Sequence, residues 1–179
     1  MEFLQRPLAI TDVETTGLDF KIHEIIELGL LVVNQKTLEV VDEFETKIKP
    51  ANIETAEPKA LQLNGYNEQD WVNALDLGYV MGVYSKKTRE AIFLAHNVTF
   101  DWSFIFEAFR KTNAANLMDY HRVDLFTCAW AKASRLPGLK KFNLDELCKY
   151  FGIPPEPVPH RAINGVRNEL KVLKKLLEI

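Results

Sequence analysis

The order of apolar and polar residues along the chain predicts a β-sheet that is interleaved with helices. Three early segments are rich in β-forming residues and are predicted to be sequential strands: Leu8 to Glu14, Ile25 to Asn34, and Leu38 to Lys49. Two shorter apolar segments, Ala91 to Ala95 and Arg122 to Leu125, are predicted to return to the same sheet. The chain therefore supplies five candidate strands.

Other segments space their apolar residues three or four positions apart, as on one face of a helix. The stretch from Glu68 to Arg89 follows this spacing roughly. Two clearer stripes predict amphipathic helices, one through Trp102, Ile105, Phe106 and Phe109, and one after Ala162 through Val166, Leu170, Leu173 and Leu177. Shorter helices are predicted at Phe126 to Arg135 and at Leu144 to Phe151, and the four prolines from Ile153 to Pro159 predict an extended loop. This order predicts an α/β fold in which helices cover both faces of a mixed five-stranded sheet.

Composition narrows the class of protein. The chain has 179 residues, of which 47% are apolar and 26% are charged, so we expect a single domain over residues 1–179. The formal charge of −3 argues against a broad basic surface, so an anionic ligand would have to be held locally. No apolar stretch approaches the length of a membrane span, and the start has no signal-peptide pattern, so we expect no membrane association and a cytoplasmic location. Cys128 and Cys148 are predicted to be reduced thiols.

The first candidate functional element is the pair of acidic residues at the end of the first strand. Because successive side chains of a strand alternate between its faces, Asp12 and Glu14 project to the same side. Without a cation they would repel each other, whereas Mg²⁺ or Mn²⁺ would neutralise both. Thr15, Thr16 and Gly17 follow directly and are candidates to contact a nucleotide through hydroxyls and close backbone approach. A polar strand end followed by a turn is the alternative interpretation.

Two further clusters carry polar groups near helix starts. Asp101 is expected near the beginning of the helix that contains Trp102, where an aspartate commonly serves only as a cap. His160 follows the proline-rich loop and precedes the last helix, where it is either a general base or an incidental surface histidine. Neither cluster identifies a function by itself.

The three clusters together resemble the DEDDh family of 3′-to-5′ exonucleases, which includes the proofreading subunit of bacterial DNA polymerase III, ribonuclease T and oligoribonuclease. The matching motifs are DVETTGL at residues 12–18, HNVTFD at 96–101 and HRAINGV at 160–166, so the resemblance covers nearly the whole chain. It implies a ribonuclease H-like fold and hydrolysis of terminal phosphodiesters to nucleoside 5′-monophosphates by two Mg²⁺ or Mn²⁺ ions per site.

The resemblance also implies roles for particular residues. Asp12 would bridge the two metals, Glu14 would bind the metal that activates water, and Asp101 would support the metals. His160 would act as the general base. Candidate contacts to the substrate are Asn97, together with Leu18 and Phe100 as apolar groups that stack or wedge against terminal bases, and core packing is the alternative for Phe100.

One position departs from the family pattern. The family has an aspartate five residues after the histidine, where this chain has Gly165. Glu169 lies one helical turn further, and because helical side chains lean toward the N-terminus, its longer side chain could reach the space beside the glycine. We therefore predict that Glu169 replaces the missing metal ligand. The alternative is a solvated Glu169 that pairs with Lys171 or Lys174.

These observations favour an exonuclease that acts on single-stranded or frayed 3′ ends, with DNA preferred over RNA. One alternative is a nucleic-acid-binding module in which Gly165 marks an impaired site, and another is an oligoribonuclease-like enzyme. The sequence leaves open a polymerase partner and a homodimer.

Overall fold

The sheet predicted from the sequence is present in the computed structural model, which describes residues 2–179. Its five strands are β1 (Leu8–Thr15), β2 (Ile25–Val33), β3 (Val40–Lys47), β4 (Ile92–Ala95) and β5 (Arg122–Asp124). They lie in the order β3-β2-β1-β4-β5. Strands β1 to β3 are antiparallel neighbours, whereas β4 runs parallel to β1 and β5 runs parallel to β4. The prediction of a mixed five-stranded sheet is therefore confirmed.

Helices cover both faces of this sheet. They are α1 (Pro58–Leu63), α2 (Leu77–Lys87), α3 (Val98–Thr112), α4 (Leu125–Ala133), α5 (Leu144–Tyr150) and α6 (Ala162–Leu177). Short 3-10 turns lie at Phe3–Gln5 and Ile53–Thr55. In the described range 2–179, none of the helices combines the length and the apolar character that crossing a bilayer would require.

The two cores follow from the alternation of side chains along the strands. On one face, Leu8 and Ile10 of β1 pack with residues of α4, α5 and α6. On the other face, Ala9 and Val13 pack with residues of α2 and α3. Asp12 and Glu14 continue the series of Leu8 and Ile10, so they belong to the α6 face.

The predicted helical stretch from Glu68 to Arg89 is wrong in its first half, because helix α2 begins only at Leu77. The Asp76 carboxylate caps it by accepting hydrogen bonds from the Gly78 and Tyr79 amides at 2.7 and 3.2 Å. Trp71 lies in a turn, where its indole Nε1 donates to the Ile26 carbonyl at 3.0 Å. The tertiary hydrogen bond thus fixes a residue whose spacing alone suggested a helix.

Two apolar stripes also differ in detail from their predictions. In α3 the buried apolar residues are Phe104, Ile105, Ala108 and Phe109, whereas Phe106 is 54% exposed because it lies on the outer side of the helix. In α6, Leu177 at the helix end is exposed although the preceding stripe is buried. Both predicted thiols are free, with Cys148 buried and Cys128 partly buried.

Helix α6 lies very close to the sheet, and a glycine makes this possible. Gly29 of β2 faces the first residue of α6, and a Cβ added at Gly29 would lie 2.5 Å from the Ala162 carbonyl carbon. A larger residue would push the helix away from β1 and β2. This close packing brings the N-terminal half of α6 beside the C-terminal end of β1, where Asp12 and Glu14 lie.

Candidate active site

A cleft lies where the carboxyl ends of β1 and β4 meet helices α3 and α6, as ligand sites commonly do in α/β sheets. Its volume is about 400 Å³. The sequence-predicted residues that line it are Asp12, Glu14, Thr15, Gly17, Leu18, Phe100, His160, Gly165 and Glu169. Residues from all three motifs are therefore brought together.

Asp12 and Glu14 are held on one side of β1 by the strand itself. They pair across the sheet with Gly29 and Glu27 of β2. Burial raises the pKa of the Asp12 carboxyl, and the charges of Glu156 and Glu27 raise it further. Burial and the Asp12 charge likewise raise the pKa of Glu14. The fold has thus placed carboxylates where they are electrostatically costly without a cation.

Asp101 lies behind this pair in the first turns of α3 and is 3% exposed. Its Oδ1 accepts a hydrogen bond from the Val13 amide at 3.2 Å, which ties α3 to β1 between the two acidic residues. Burial raises the pKa of Asp101, and the charge of Asp12 raises it further. The alternative role as a simple helix cap does not describe this side chain, since the cap position of α3 is Asn97.

Glu169 reaches the same cluster from α6. It is 1% exposed, and its Oε1 accepts a hydrogen bond from the His96 amide at 2.7 Å. Its Oε2 is buried and has no hydrogen-bond partner within residues 2–179. Burial raises its pKa, and the charges of Asp12 and Asp101 raise it further. The alternative of a solvated Glu169 paired with a lysine is therefore wrong.

Gly165 creates the space that this arrangement uses. A Cβ added at Gly165 would lie 2.9 Å from Asp12 Cγ and closer still to the carboxylate oxygen Oδ2. Real Cβ atoms do not make such contacts, so Asp12 would have to move. The glycine lets the Asp12 carboxylate lie against α6, one turn before Glu169.

His160 lies at the cleft entrance, and the residue beside it was missed by the sequence analysis. His160 Nδ1 is 3.8 Å from Glu156 Oε2. The other oxygen of Glu156 accepts a hydrogen bond from the Arg161 amide at 2.7 Å. Glu14, Glu156 and His160 each offer one ligand atom within 4.8 Å of the others. The only signal in the sequence was an acidic residue within the proline-rich loop, four positions before the histidine.

A buried ion pair fixes the segment that carries His160. Glu27 Oε2 lies 3.2 Å from Arg161 Nη1, and Glu27 Oε1 accepts a hydrogen bond from the Ala162 amide at 3.1 Å. Burial raises the pKa of Glu27 to about 7, although Arg161 opposes the shift. Glu27 therefore connects the start of α6 to β2. By binding Arg161, it also holds His160, the residue before Arg161, near the cleft.

The remaining residues predicted to contact substrate differ in whether their side chains are free to do so. Leu18 and Phe100 border the cleft and also a smaller pocket that contains Asn97. Thr15 lines the cleft, but its hydroxyl donates to the Gly17 carbonyl at 2.7 Å. Thr16 is fully buried and its hydroxyl accepts from the Glu24 amide, so the predicted contact between Thr16 and a nucleotide is not supported.

Two other polar groups belong to the cleft wall. The Asn64 side chain donates to the Thr15 carbonyl at 3.0 Å, and its Oδ1 is buried without a hydrogen-bond partner in the described residues. Gly17 packs on the ring of His23, since an added Cβ would lie 2.6 Å from His23 Nδ1. The turn after β1 is thus rigid and presents Leu18, which is 74% exposed.

The donor set fits divalent cations of the hard, oxygen-preferring kind. Burial and neighbouring carboxylates raise the pKa values of Asp12, Glu14, Asp101 and Glu169, so each ionised form is less favourable here than in water until positive charge is supplied. The unpartnered Oε2 of Glu169 is a free acceptor in this cluster. Mg²⁺ and Mn²⁺ match carboxylate donors, whereas the cleft offers no thiolate.

The sequence profile of the RNase_T exonuclease family matches residues 9–173, a range that contains every residue of this cluster. The chain belongs to this exonuclease family. The resemblance seen in the three motifs is therefore confirmed, and the cleft is the candidate active site of a nuclease.

Curated relatives of this exonuclease-family chain contain the matching segment within longer proteins. The PolC-type DNA polymerase III of Thermotoga maritima is 29% identical over 170 residues, covering 95% of this chain and 12% of the polymerase. The 3′-5′ exonuclease DinG of Staphylococcus epidermidis is also 29% identical, with coverage of 95% and 18%. Protein NEN2 of Arabidopsis thaliana is 27% identical, with coverage of 93% and 34%. The chain thus spans only a minor part of these relatives.

Solved structures agree with the fold. Exonuclease I of E. coli in complex with a dT13 oligonucleotide superimposes with a TM-score of 0.82 at 19% identity, covering 96% of this chain and 41% of that one. The product-bound form of exonuclease I gives a TM-score of 0.80 at 18% identity. The predicted ribonuclease H-like architecture is confirmed by this likeness.

Proposed function

We propose that the chain is a metal-dependent 3′-to-5′ exonuclease that releases nucleoside 5′-monophosphates from nucleic-acid ends. The observation that supports this most is the convergence of Asp12, Glu14 and Glu169 in one cleft, with Asp101 buried behind them, raised pKa values and a free acceptor oxygen. Family membership supports the nuclease chemistry. Bound cations would offset the cost of burying these like charges while the carboxylates stay ionised.

The four carboxylates would hold two Mg²⁺ or Mn²⁺ ions, and when bound these ions would neutralise the site and stabilise charge that develops on the phosphodiester. His160 would take the proton of the attacking water. Glu156 lies beside Nδ1 of His160 and would orient the ring, leaving Nε2 to face the water. Glu27 acts at a distance, by holding Arg161 and thereby the histidine's backbone.

Glu169 would serve as the fourth carboxylate of the site. Its buried position supports this role, because the glycine at 165 removes the side chain that would otherwise occupy the space beside Asp12. A site that had lost its function would have no physical reason to keep two buried and two half-buried carboxylates side by side. The impaired-module alternative is therefore disfavoured.

The proposed substrate is a single-stranded or frayed 3′ end, with DNA preferred over RNA. The structural neighbours are complexes with single-stranded dT13 and dA16 oligonucleotides, and several relatives are DNA polymerases. Leu18 and Phe100 form an apolar edge on which an unpaired terminal base would stack. A polymerase that supplies such ends is the kind of partner these relatives suggest.

The deciding experiment measures release of mononucleotides from 3′-labelled single-stranded DNA and RNA with Mn²⁺, Mg²⁺ or EDTA. The variants are Asp12→Ala and Glu169→Gln, and Glu178→Ala is the matched control because it removes an exposed carboxylate next to the same helix. Glutamine keeps an acceptor for the His96 amide while it removes the charge, so the fold is preserved. We expect metal-dependent release that Asp12→Ala abolishes, Glu169→Gln strongly reduces and Glu178→Ala leaves unchanged.

Each other outcome has a definite meaning. Full activity of Glu169→Gln would leave the nuclease in place and refute Glu169 as a ligand. If a matched 5′-labelled strand releases labelled mononucleotide before the 3′-labelled strand does, the proposed polarity is contradicted. If the wild-type protein releases no more than Asp12→Ala under any condition, the chain is a binding module.

A further inference from the structure

A short cationic stretch lies beside the acidic cleft. Four of the ten residues from 132 to 141 are lysine or arginine, and none is acidic, although the whole chain has a charge of −3. We call Lys132, Arg135, Lys140 and Lys141 the basic rim. All four are exposed, and none forms an ion pair with an acidic residue among residues 2–179. The rim is the kind of local cation cluster that a polyanion can use.

The rim is held in place by apolar residues that alternate with its cations. Leu136, Leu139 and Phe142 pack against the core between the sheet and α6. The Tyr150 hydroxyl also donates a hydrogen bond to the Pro137 carbonyl at 3.3 Å. Because its apolar side chains are anchored, the segment presents its cations outward without a large entropy cost on binding.

The rim continues directly into the wall of the active-site cleft. Asn143, Leu144 and Asp145 follow it in the chain and line the same cleft as Glu14 and His160. The Phe142 ring packs on Phe126 at 6.2 Å between centroids, and Phe126 packs on the His96 ring at 6.1 Å. The cationic segment therefore adjoins the wall of the cleft in space as well as in sequence.

The negative charge of the cleft explains why cations beside it would help to bind a nucleic acid. The cleft wall carries many carboxylates, which repel a polyphosphate chain beyond the single linkage that cations would neutralise. The nearby cation Arg161 is occupied by Glu27. The apolar edge formed by Leu18 and Phe100 offers surface to bases and no charge to phosphates.

We propose that the basic rim binds the phosphate backbone of a single-stranded nucleic acid that leads away from the terminal nucleotide in the cleft. The proposal rests on the exonuclease function proposed above and assigns it a second contact site. Phosphates contact Arg135, Lys140 and Lys141, while the terminal base lies against Leu18 and Phe100. Affinity therefore grows with the length of the strand, because only a longer strand reaches the rim.

The test compares Lys140→Ser/Lys141→Ser with Lys86→Ser/Arg89→Ser. The control removes two exposed cations that form no ion pair within the described residues 2–179, near the end of α2 and outside the cleft lining. Fluorescence anisotropy measures binding of labelled oligothymidylate of about twenty nucleotides, longer than a typical single-strand site. The Asp12→Ala background keeps the strand intact.

Loss of two phosphate contacts should weaken binding on the order of tenfold near 0.1 M salt and lower the slope of log affinity against log salt by about 1.4. The single change Arg135→Ser should lower the slope by about 0.7. With Asp12 restored, the rim variant should show a raised KM for the long strand and less than about a twofold change for a dinucleotide. Equal affinity and equal salt slope in the rim and control variants would overturn the proposal.

A different result bears on the proposed function. If neither the wild-type protein nor the rim variant cleaves the dinucleotide or the long strand, the exonuclease proposal fails, while the anisotropy result still decides the role of the rim.

Discussion

The two faces of strand β1 differ in whether the polar groups packed there are paired. On the face that packs against α2 and α3, Thr11 is fully buried and its hydroxyl shares a hydrogen bond of 2.8 Å with the Tyr84 hydroxyl. On the face toward α6, Asp12 and Glu14 lie among like charges, and Glu169 Oε2 has no hydrogen-bond partner in the described part of the chain.

One face of β1 therefore contributes to stability, whereas the other carries the residues of the proposed chemistry. A satisfied polar pair such as Thr11 and Tyr84 stabilises a unique packing. An unsatisfied carboxylate cluster destabilises the empty protein and becomes favourable when it binds positive charge. Substitutions on the two faces should therefore have opposite profiles of activity and stability.

The largest effect is expected for Asp12→Asn. This change should lower the rate of mononucleotide release by at least about 1,000-fold, because it removes a ligand and about 4 kcal/mol of transition-state stabilisation. The melting temperature in EDTA should not fall, since one source of repulsion is gone. A clear loss of metal-free stability would contradict the assignment of this face to chemistry.

The next effect concerns Gly165. Gly165→Ala keeps every carboxylate but forces Asp12 to move, so activity should fall about 100-fold, as expected for an active-site group displaced by about 1 Å. Gly82→Ala is the matched control, because Gly82 lies inside α2 and an added Cβ meets nothing within 4 Å. The control should keep activity and gain stability. Equal activity of the two variants would show that Asp12 adapts without cost.

A third prediction concerns pH in the absence of metal. The carboxyls of Asp12, Glu14, Asp101, Glu169 and Glu27 have folded-state pKa values above their unfolded values. The folded protein therefore binds more protons than the unfolded chain, and the contribution of these groups to stability is lost as pH rises through the folded pKa values. Between about pH 5 and pH 8 the free energy of unfolding in EDTA should fall by more than about 1 kcal/mol. Urea titrations check this, and saturating Mn²⁺ should reduce the loss.

The smallest effect belongs to the other face. Tyr84→Phe removes a fully buried hydroxyl that is bonded to Thr11, so the free energy of unfolding should fall by about 1 kcal/mol. The rate of mononucleotide release should stay at the wild-type value. A loss of activity without a loss of stability would mean that the two faces are coupled.

The sequence was most informative where local periodicity and chemistry coincide. Alternation along β1 predicted that Asp12 and Glu14 share a face, and helical geometry predicted that Glu169 lies on the same side of α6 as Gly165, although the Asp12 carboxylate occupies the space beside the glycine. Both predictions depend on distances within a single element, which backbone geometry fixes. The fold class followed for the same reason.

Local patterns in the sequence do not indicate long-range hydrogen bonds or the positions of side chains in loops. The indole of Trp71 is fixed by the Ile26 carbonyl, 45 positions away, so its helical spacing was misleading. Glu156 lies in a loop without periodicity, where nothing local indicates that it faces His160. The hydroxyl of Thr16 is used by the Glu24 amide within its own turn, a contact that residue type alone does not reveal.

The proposed ligand cluster joins residues 12 and 169 of a chain of 179 residues. During synthesis, Asp12 leaves the ribosome early, whereas Glu169 follows only after nearly the whole sheet and its helices have been made. The acidic cluster therefore cannot form before residue 169 has been made. The order of translation itself delays its assembly until α6 can pack on Gly29.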